Sequence, residues 1–249
     1  MPDALRLAIG TLTRLPVPAP TALTRRSTAW AMSLAPVIGA ALALLCGLPL
    51  LIDATPVSAL LLAALSIALL AFATRGLHLD GLADTADALG SGKPAAQALA
   101  IARKSDIGPF GVITLVLNLL LQIVSLAVCL TLGDGLLALL LAVVVGRICL
   151  SGACTGLWLA ARTDGLGANV AGSVPIAVPV IWSLVFAITA FLALGGAGLA
   201  STLLALAVAQ VVLVIAKRRL GGITGDVLGA VIECSTTTVL ITLALLLPI

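Results

Sequence analysis

Long apolar runs dominate this chain, separated by short polar stretches. Seven such runs fall at roughly 30–52, 55–74, 108–132, 135–160, 174–195, 198–216 and 227–247, each long enough to cross a ~30 Å hydrocarbon core as a helix. The runs are continuous rather than alternating, which excludes a membrane β-barrel. Residues 53–54, 133–134 and 196–197 read as tight connections, whereas 75–107, 161–173 and 217–226 are longer and polar. The pattern predicts an all-α fold: a polytopic transmembrane helix bundle of about seven spans, forming one integral membrane domain over residues 1–249.

Composition agrees. The chain is 61% hydrophobic and 9% charged, with a mean hydropathy of +1.28, where ordinary soluble domains are about 25% charged. The five cysteines lie scattered in apolar runs and the chain has one histidine, so neither a zinc pair nor a disulfide framework is expected. No cleavable signal peptide is expected, since the first long apolar run begins near Trp30, after four arginines. Charge placement then orients the bundle. Twelve of the 13 basic residues precede the first predicted span or lie in the three long connections; the short connections carry only Asp53 and Asp134. The positive-inside rule puts the N-terminus and the long loops in the cytoplasm, and the C-terminus outside. The expected location is a bacterial or archaeal cytoplasmic membrane, with the lipid bilayer as partner and no nucleic acid.

Two segments outside the spans carry their own helical pattern. In residues 1–29, Leu5, Ile9, Leu12 and Leu15 recur at helical spacing up to a proline-rich stop at Pro16, Pro18 and Pro20, which predicts an amphipathic helix at the membrane interface. In residues 75–107, a first helix ends at Gly90-Ser91-Gly92, and Pro94 suits the first turn of a second helix that runs to Lys104. This predicts a cytoplasmic helical hairpin that brings acids close to Arg103 and Lys104.

The first helix of that hairpin holds the densest chemistry. Three of the ten acidic residues, Asp80, Asp84 and Asp87, lie within eight positions. At ~100° per residue they cover an arc of only about 60°. Such a stripe suits a hard divalent cation such as Mg²⁺, which prefers oxygen ligands and keeps several waters. The bland alternative is a solvated helix face whose aspartates complement the helix dipole. Asp106 is a further acid at the end of the hairpin. His78 points away from Asp80 on a continuous helix, which reads as packing or support.

The remaining basic residue, Arg147, falls in the middle of the fourth predicted span. On a lipid-facing surface it would cost ~2.5–3.5 kcal/mol, so it should face the bundle interior or a wet cavity. Its partner is a substrate phosphate or carboxylate, or an acid such as Glu233 or Asp226. A second chemical stretch runs from Lys217 through Arg218 and Arg219 to Gly221-Gly222-Ile223-Thr224-Gly225-Asp226. Cations, glycines and a helix start can cradle a phosphate; the same residues can be a basic membrane flank with a helix cap. The stretch Arg162-Thr163-Asp164-Gly165-Leu166-Gly167 is another turn, with no chemistry legible from spacing.

Acids for a cation and cations for phosphate on one membrane face point to phosphoryl transfer to a hydroxyl, with the metal stabilising the leaving phosphate. No P-loop is present. A phosphotransferase of the CDP-alcohol type would need Asp-Gly followed by Ala-Arg, where this chain has Ala83-Asp84. A transporter would need polar or broken features on both sides of the membrane.

The chain resembles the cobalamin 5′-phosphate synthases, also called adenosylcobinamide-GDP ribazoletransferases. The likeness runs nearly full length, through Thr13-Arg14-Leu15-Pro16-Val17-Pro18, His78-Leu79-Asp80-Gly81-Leu82-Ala83-Asp84-Thr85-Ala86-Asp87, Ile107-Gly108 with Gly111, Gly165-Leu166-Gly167, and Gly221-Gly222-Ile223-Thr224-Gly225-Asp226-Val227-Leu228-Gly229-Ala230. The resemblance implies Mg²⁺-dependent joining of adenosylcobinamide-GDP to α-ribazole or its 5′-phosphate, with loss of GMP. It implies catalytic roles for Asp84, Asp87 and Asp226, and metal ligation by Asp80, Asp84, Asp87 and Asp106. Substrate contacts are expected from His78, Arg103, Lys104, Arg147, Lys217, Arg218 and Thr224. Homo-oligomerisation is left open. The chain departs from the family where members read acid-Ser-Arg before Ile107-Gly108: here the residues are Lys104-Ser105-Asp106, with the charges reversed.

Overall fold

The computed structural model describes residues 1–104 and 106–248; Ser105, in the departing tripeptide, lies outside them. The described residues form α-helices, one short 3₁₀ turn and two isolated bridges. In chain order these are α1 (Asp3–Leu12), α2 (Arg25–Ser33), α3 (Ala35–Cys46), α4 (Pro56–Ala73), α5 (Leu77–Gly90), α6 (Ala95–Ile101), α7 (Pro109–Thr131), α8 (Gly135–Ala153), α9 (Gly165–Val170), α10 (Ala177–Leu220) and α11 (Gly225–Leu246). Five of these, α4, α7, α8, α10 and α11, are long and apolar enough to cross a membrane, and α2 with α3 makes a sixth if that bent pair is one span. The chain is a multi-pass membrane protein.

Element ends follow local chemistry. Thr24 and Thr55 form capping boxes with Ser27 and Ser58, starting α2 and α4. The first predicted span is bent by 40° at Leu34, where Pro36 enters the first turn of α3. The fourth predicted span ends at Ala153 rather than residue 160. The chain then turns, and the Ile223 N–H donates to the Leu159 carbonyl (2.8 Å) while the Ala161 N–H donates to the Ile223 carbonyl (2.9 Å). These bonds pin the 159–161 segment beside the start of α11. In α10, helical geometry fails at Leu194 and Gly195, one or two residues before the predicted connection at 196–197. The two arms fold back on one another: Ser183 and Leu206 line the same cavity, although a straight helix would separate them by about 35 Å.

The N-terminal helix is docked rather than lying loose. Ala8 and Leu12 are buried, the Arg14 N–H donates to the Ala73 carbonyl, and the Arg75 guanidinium donates to the Gly10 carbonyl at 2.6 Å. Arg75 itself has φ +58° and is followed by Gly76 at +67°. Two successive left-handed residues turn the chain from α4 into α5, and only the glycine adopts that conformation cheaply.

The α5 helix is held by more than its hairpin partner α6. It packs against α7 and α11, and the contact with α11 is backbone to backbone. A Cβ on Gly81 would sit 2.8 Å from the Asp226 carbonyl oxygen, and one on Gly229 would sit 2.9 Å from that of His78. The Gly81→Ala protein is therefore expected to melt at lower temperature in detergent, losing about 1–3 kcal/mol, because backbone rather than a flexible side chain must move. An unchanged melting temperature would show that the crossing is looser than these distances.

Candidate active site

The α5/α11 crossing brings the two acidic motifs together. A cavity of about 360 Å³ opens beside it, with Asp80 and His78 from α5 and Thr224, Gly225 and Asp226 from the start of α11. Arg103, just after α6, with Arg162 and Asp164 completes the polar wall, beside the Gly165–Gly167 turn; Leu12 and Met32 supply an apolar side. The start of α11 is held by the Thr224 hydroxyl, which accepts from the Val227 N–H at 3.2 Å and donates to Asp226 Oδ2 at 3.2 Å. A Cβ on Gly167 would lie 2.8 Å from the Thr224 Cα, so glycine lets the 165–167 turn close over this helix start.

The three aspartates of α5 diverge in environment. Asp80 is exposed at the cavity wall, Asp84 is half-buried and Asp87 is buried. Loss of hydration, then the Asp80, Asp226 and Asp87 carboxylates, push Asp84 up from the ordinary 3.8 to about 7, against the pull of Arg162. The Asp87 carboxylate is turned the other way. Its Oδ2 accepts from the Gly108 N–H at 2.7 Å and its Oδ1 from the Gly111 N–H at 2.9 Å. A Cβ at either glycine would overlap this carboxylate. Asp87 thus satisfies unpaired N–H groups of the first turn of α7 and meets the positive end of its dipole.

The Asp84 shift has a consequence in metal-free protein. Between about pH 4 and 7 the folded state holds a proton that the unfolded chain has released, so this contribution to stability falls as pH rises through that window. Wild type in EDTA should lose more melting temperature from pH 5 to pH 8 than the Asp84→Asn protein. Equal losses would place Asp84 away from the other acids.

The cations are also sorted. Arg103 Nη2 reaches Asp164 Oδ1 at 2.5 Å and Oδ2 at 2.7 Å, an exposed pair at the cavity rim. Arg162 donates to the Leu99 carbonyl at 2.8 Å. Lys104 and Asp106 are exposed, and neither they nor Lys217 and Arg218 line the cavity. Arg147 does face the bundle interior, as a charge in a span must: it is 2% exposed. Its Nη2 lies 3.4 Å from His78 Nδ1, and it shares a small cavity with Gln122 and Glu233 rather than lining the one beside Asp80 and Asp226. Glu233 Oε2 accepts from Gln122 Nε2 at 2.8 Å. Burial, and then the Arg147 charge, pull the His78 imidazole well below its usual value.

Arg162 and Asp164 were not singled out from spacing. The signal available was the adjacent glycine motif Gly165-Leu166-Gly167, whose closeness to Thr224 only the folded chain shows. Among the described residues, no three His, Cys, Asp or Glu side chains converge into a ready-made metal cage.

A helical membrane bundle thus brings carboxylates from two helices and two guanidinium groups to one cavity. The Cobalamin-5-phosphate synthase family model matches residues 4–244, and the chain belongs to that family. It is 39% identical over 263 residues to an adenosylcobinamide-GDP ribazoletransferase of Frankia casuarinae, covering 98% of this chain and 95% of that protein. It is 38% identical over 245 residues to that of a Nocardioides species (97% and 98% covered). The corresponding figure for Pseudomonas fluorescens is 42% over 209 residues (82% and 79% covered). No solved structure matches. The protein is accordingly a transferase.

Proposed function

We propose that this chain joins adenosylcobinamide-GDP to α-ribazole or α-ribazole 5′-phosphate, releasing GMP and forming adenosylcobalamin or its 5′-phosphate. One observation carries the reading. Asp80 and Asp226, from the two acidic motifs of the family likeness, meet at a single cavity that also holds Arg103 and Arg162. A ribazole hydroxyl attacks the phosphorus that bears the cobinamide, the bond to GMP breaks, and GMP leaves.

Mg²⁺ fits the donor set. It binds through one or two carboxylates, several waters and substrate phosphates, and so needs no three-acid cage. Asp80 and Asp226 supply two carboxylates at the wall, and the negative charge crowded around Asp84 is what a cation relieves. Bound there, the ion would neutralise charge that develops on the transferring and leaving phosphates. Asp84 supports this pair from one turn along α5. Arg162, and Arg103 once it exchanges Asp164 for the ligand, pair with the diphosphate. The N–H groups at the start of α11 add positive potential on the same side. The proton of the attacking hydroxyl passes to whichever of these carboxylates is not holding the cation. Asp87 fixes the α5–α7 contact instead of the substrate, and Arg147 supports His78 from behind.

The two arms of α10 make two crossings in this reading, which with the α2/α3 pair gives seven. Arg103, Arg162 and Lys217 then share one membrane face, which the positive-inside rule makes cytoplasmic.

The test is GMP release by purified protein given adenosylcobinamide-GDP and α-ribazole 5′-phosphate, with and without Mg²⁺. Metal-dependent GMP matched by cobamide product is expected. Folded protein that releases none would contradict the assignment.

A further inference from the structure

Lys217 belongs to a different place from the one its sequence neighbours suggest. Between the folded-back arms of α10 and the end of α8 runs a groove of about 440 Å³, walled by residues such as Cys149, Pro179, Ser183, Leu184 and Leu206. A further space of about 250 Å³ continues it past Leu184 and Ala187 towards Leu199. The groove opens sideways: Leu157, Leu184 and Leu203 are 59%, 59% and 52% exposed. In a multi-pass protein such an opening faces acyl chains.

One end of the groove is basic. Leu199, Leu203, Leu206, Gln210 and Lys217 fall within an arc of about 60° on the second arm of α10, at ~100° per residue. Lys217 is therefore the next residue along the groove-facing stripe, about 27 Å from Leu199. Its Nζ stands 6.0 Å from the ring centroid of Trp158, and Trp158 itself lines the groove. Arg218 follows in the chain, about 60° outside the stripe. Among the described residues the ion pairs are Arg6–Asp3 and Arg103–Asp164, so no acid in them neutralises Lys217 or Arg218. Tryptophan with lysine at the end of an apolar groove matches the headgroup level of a bilayer, and basic sites between spanning helices bind anionic headgroups.

We infer that this groove holds one anionic phospholipid, an acyl chain between the arms of α10 and the phosphate at Lys217. The site is separate from the cavity that carries Asp80 and Asp226, and the inference does not depend on the reaction proposed above. It requires only that α8 and α10 lie in a membrane. Lys217 and Arg218 then hold the protein's depth and shape, while Arg103 and Arg162 remain for the substrate.

Native mass spectrometry of the full-length protein from detergent, supplied with phosphatidylglycerol or phosphatidylcholine, tests this. Wild type is expected to retain one phosphatidylglycerol in preference to phosphatidylcholine. Lys217→Gln should weaken phosphatidylglycerol by about fivefold, with phosphatidylcholine unchanged and Lys217→Arg close to wild type. Ala187→Trp, which fills the groove where its two parts meet, should weaken both lipids. Lys217 is exposed, so its variants report even if the tryptophan protein fails to fold. Equal retention of the two lipids by wild type, or an unchanged preference in Lys217→Gln, would overturn the inference. Displacement of phosphatidylglycerol by excess adenosylcobinamide-GDP would return Lys217 to the substrate site and overturn it too.

Discussion

Asp84→Asn is expected to lower GMP release by roughly 10²–10³-fold, the scale seen when one preorganised electrostatic partner of a transferring group is removed, while leaving the protein folded. The half-buried carboxylate sits among Asp80, Asp226 and Asp87, which together with burial raise its proton affinity. That crowding costs stability in metal-free protein, and a bound cation would relieve it. Asparagine keeps the shape and removes the charge. The variant should therefore melt no lower than wild type in EDTA, yet gain less from added Mg²⁺. Near-normal turnover with an unaltered Mg²⁺ requirement would remove Asp84 from the site.

Asp87→Ala should fail in the opposite way. Its carboxylate accepts from two backbone N–H groups, Gly108 and Gly111, and hydrogen bonds to a charged group are each worth about 1.5–3 kcal/mol. Losing both strands the N–H groups of α7 in a buried place, a cost of roughly 3–6 kcal/mol by the same scale. The expected result is poor yield of monodisperse protein and a marked drop in melting temperature. Asp87→Asn, which keeps one acceptor oxygen, should fall between alanine and wild type. A well-folded Asp87→Asn protein with a raised Mg²⁺ requirement would make Asp87 a metal ligand after all.

These two residues show what the sequence could and could not resolve. On a helical wheel Asp84 and Asp87 share one narrow arc, and nothing in spacing separates them. Their environments part because α7 packs on one flank of α5 and brings Gly108 and Gly111 against Asp87. The apolar runs predicted α4, α7 and α11 to within a few residues, since length and hydropathy suffice for spans. They did not predict the bend at Leu34 or the early end of α8 at Ala153, which are set by turn chemistry and by pairing of the 159–161 segment with Ile223. Lys217 looked like part of a phosphate cradle because it precedes Gly221-Gly222 in the chain. In space it lies over Trp158, a tertiary neighbour that no local pattern reveals. Arg147 was legible as interior from cost alone, but its closeness to His78 was not.

The central claim is that Asp80 of α5 and Asp226 of α11 form one cation and phosphate site for this transfer. The most direct test is a Mg²⁺ titration of GMP release by wild type, Asp80→Asn and Asp226→Asn proteins. Both variants should need markedly more Mg²⁺ for half-maximal rate, and a double variant should lose less than the sum of the two losses, because the residues share one ion. A Mg²⁺ dependence unchanged by either substitution, in protein that still turns over, would contradict the account.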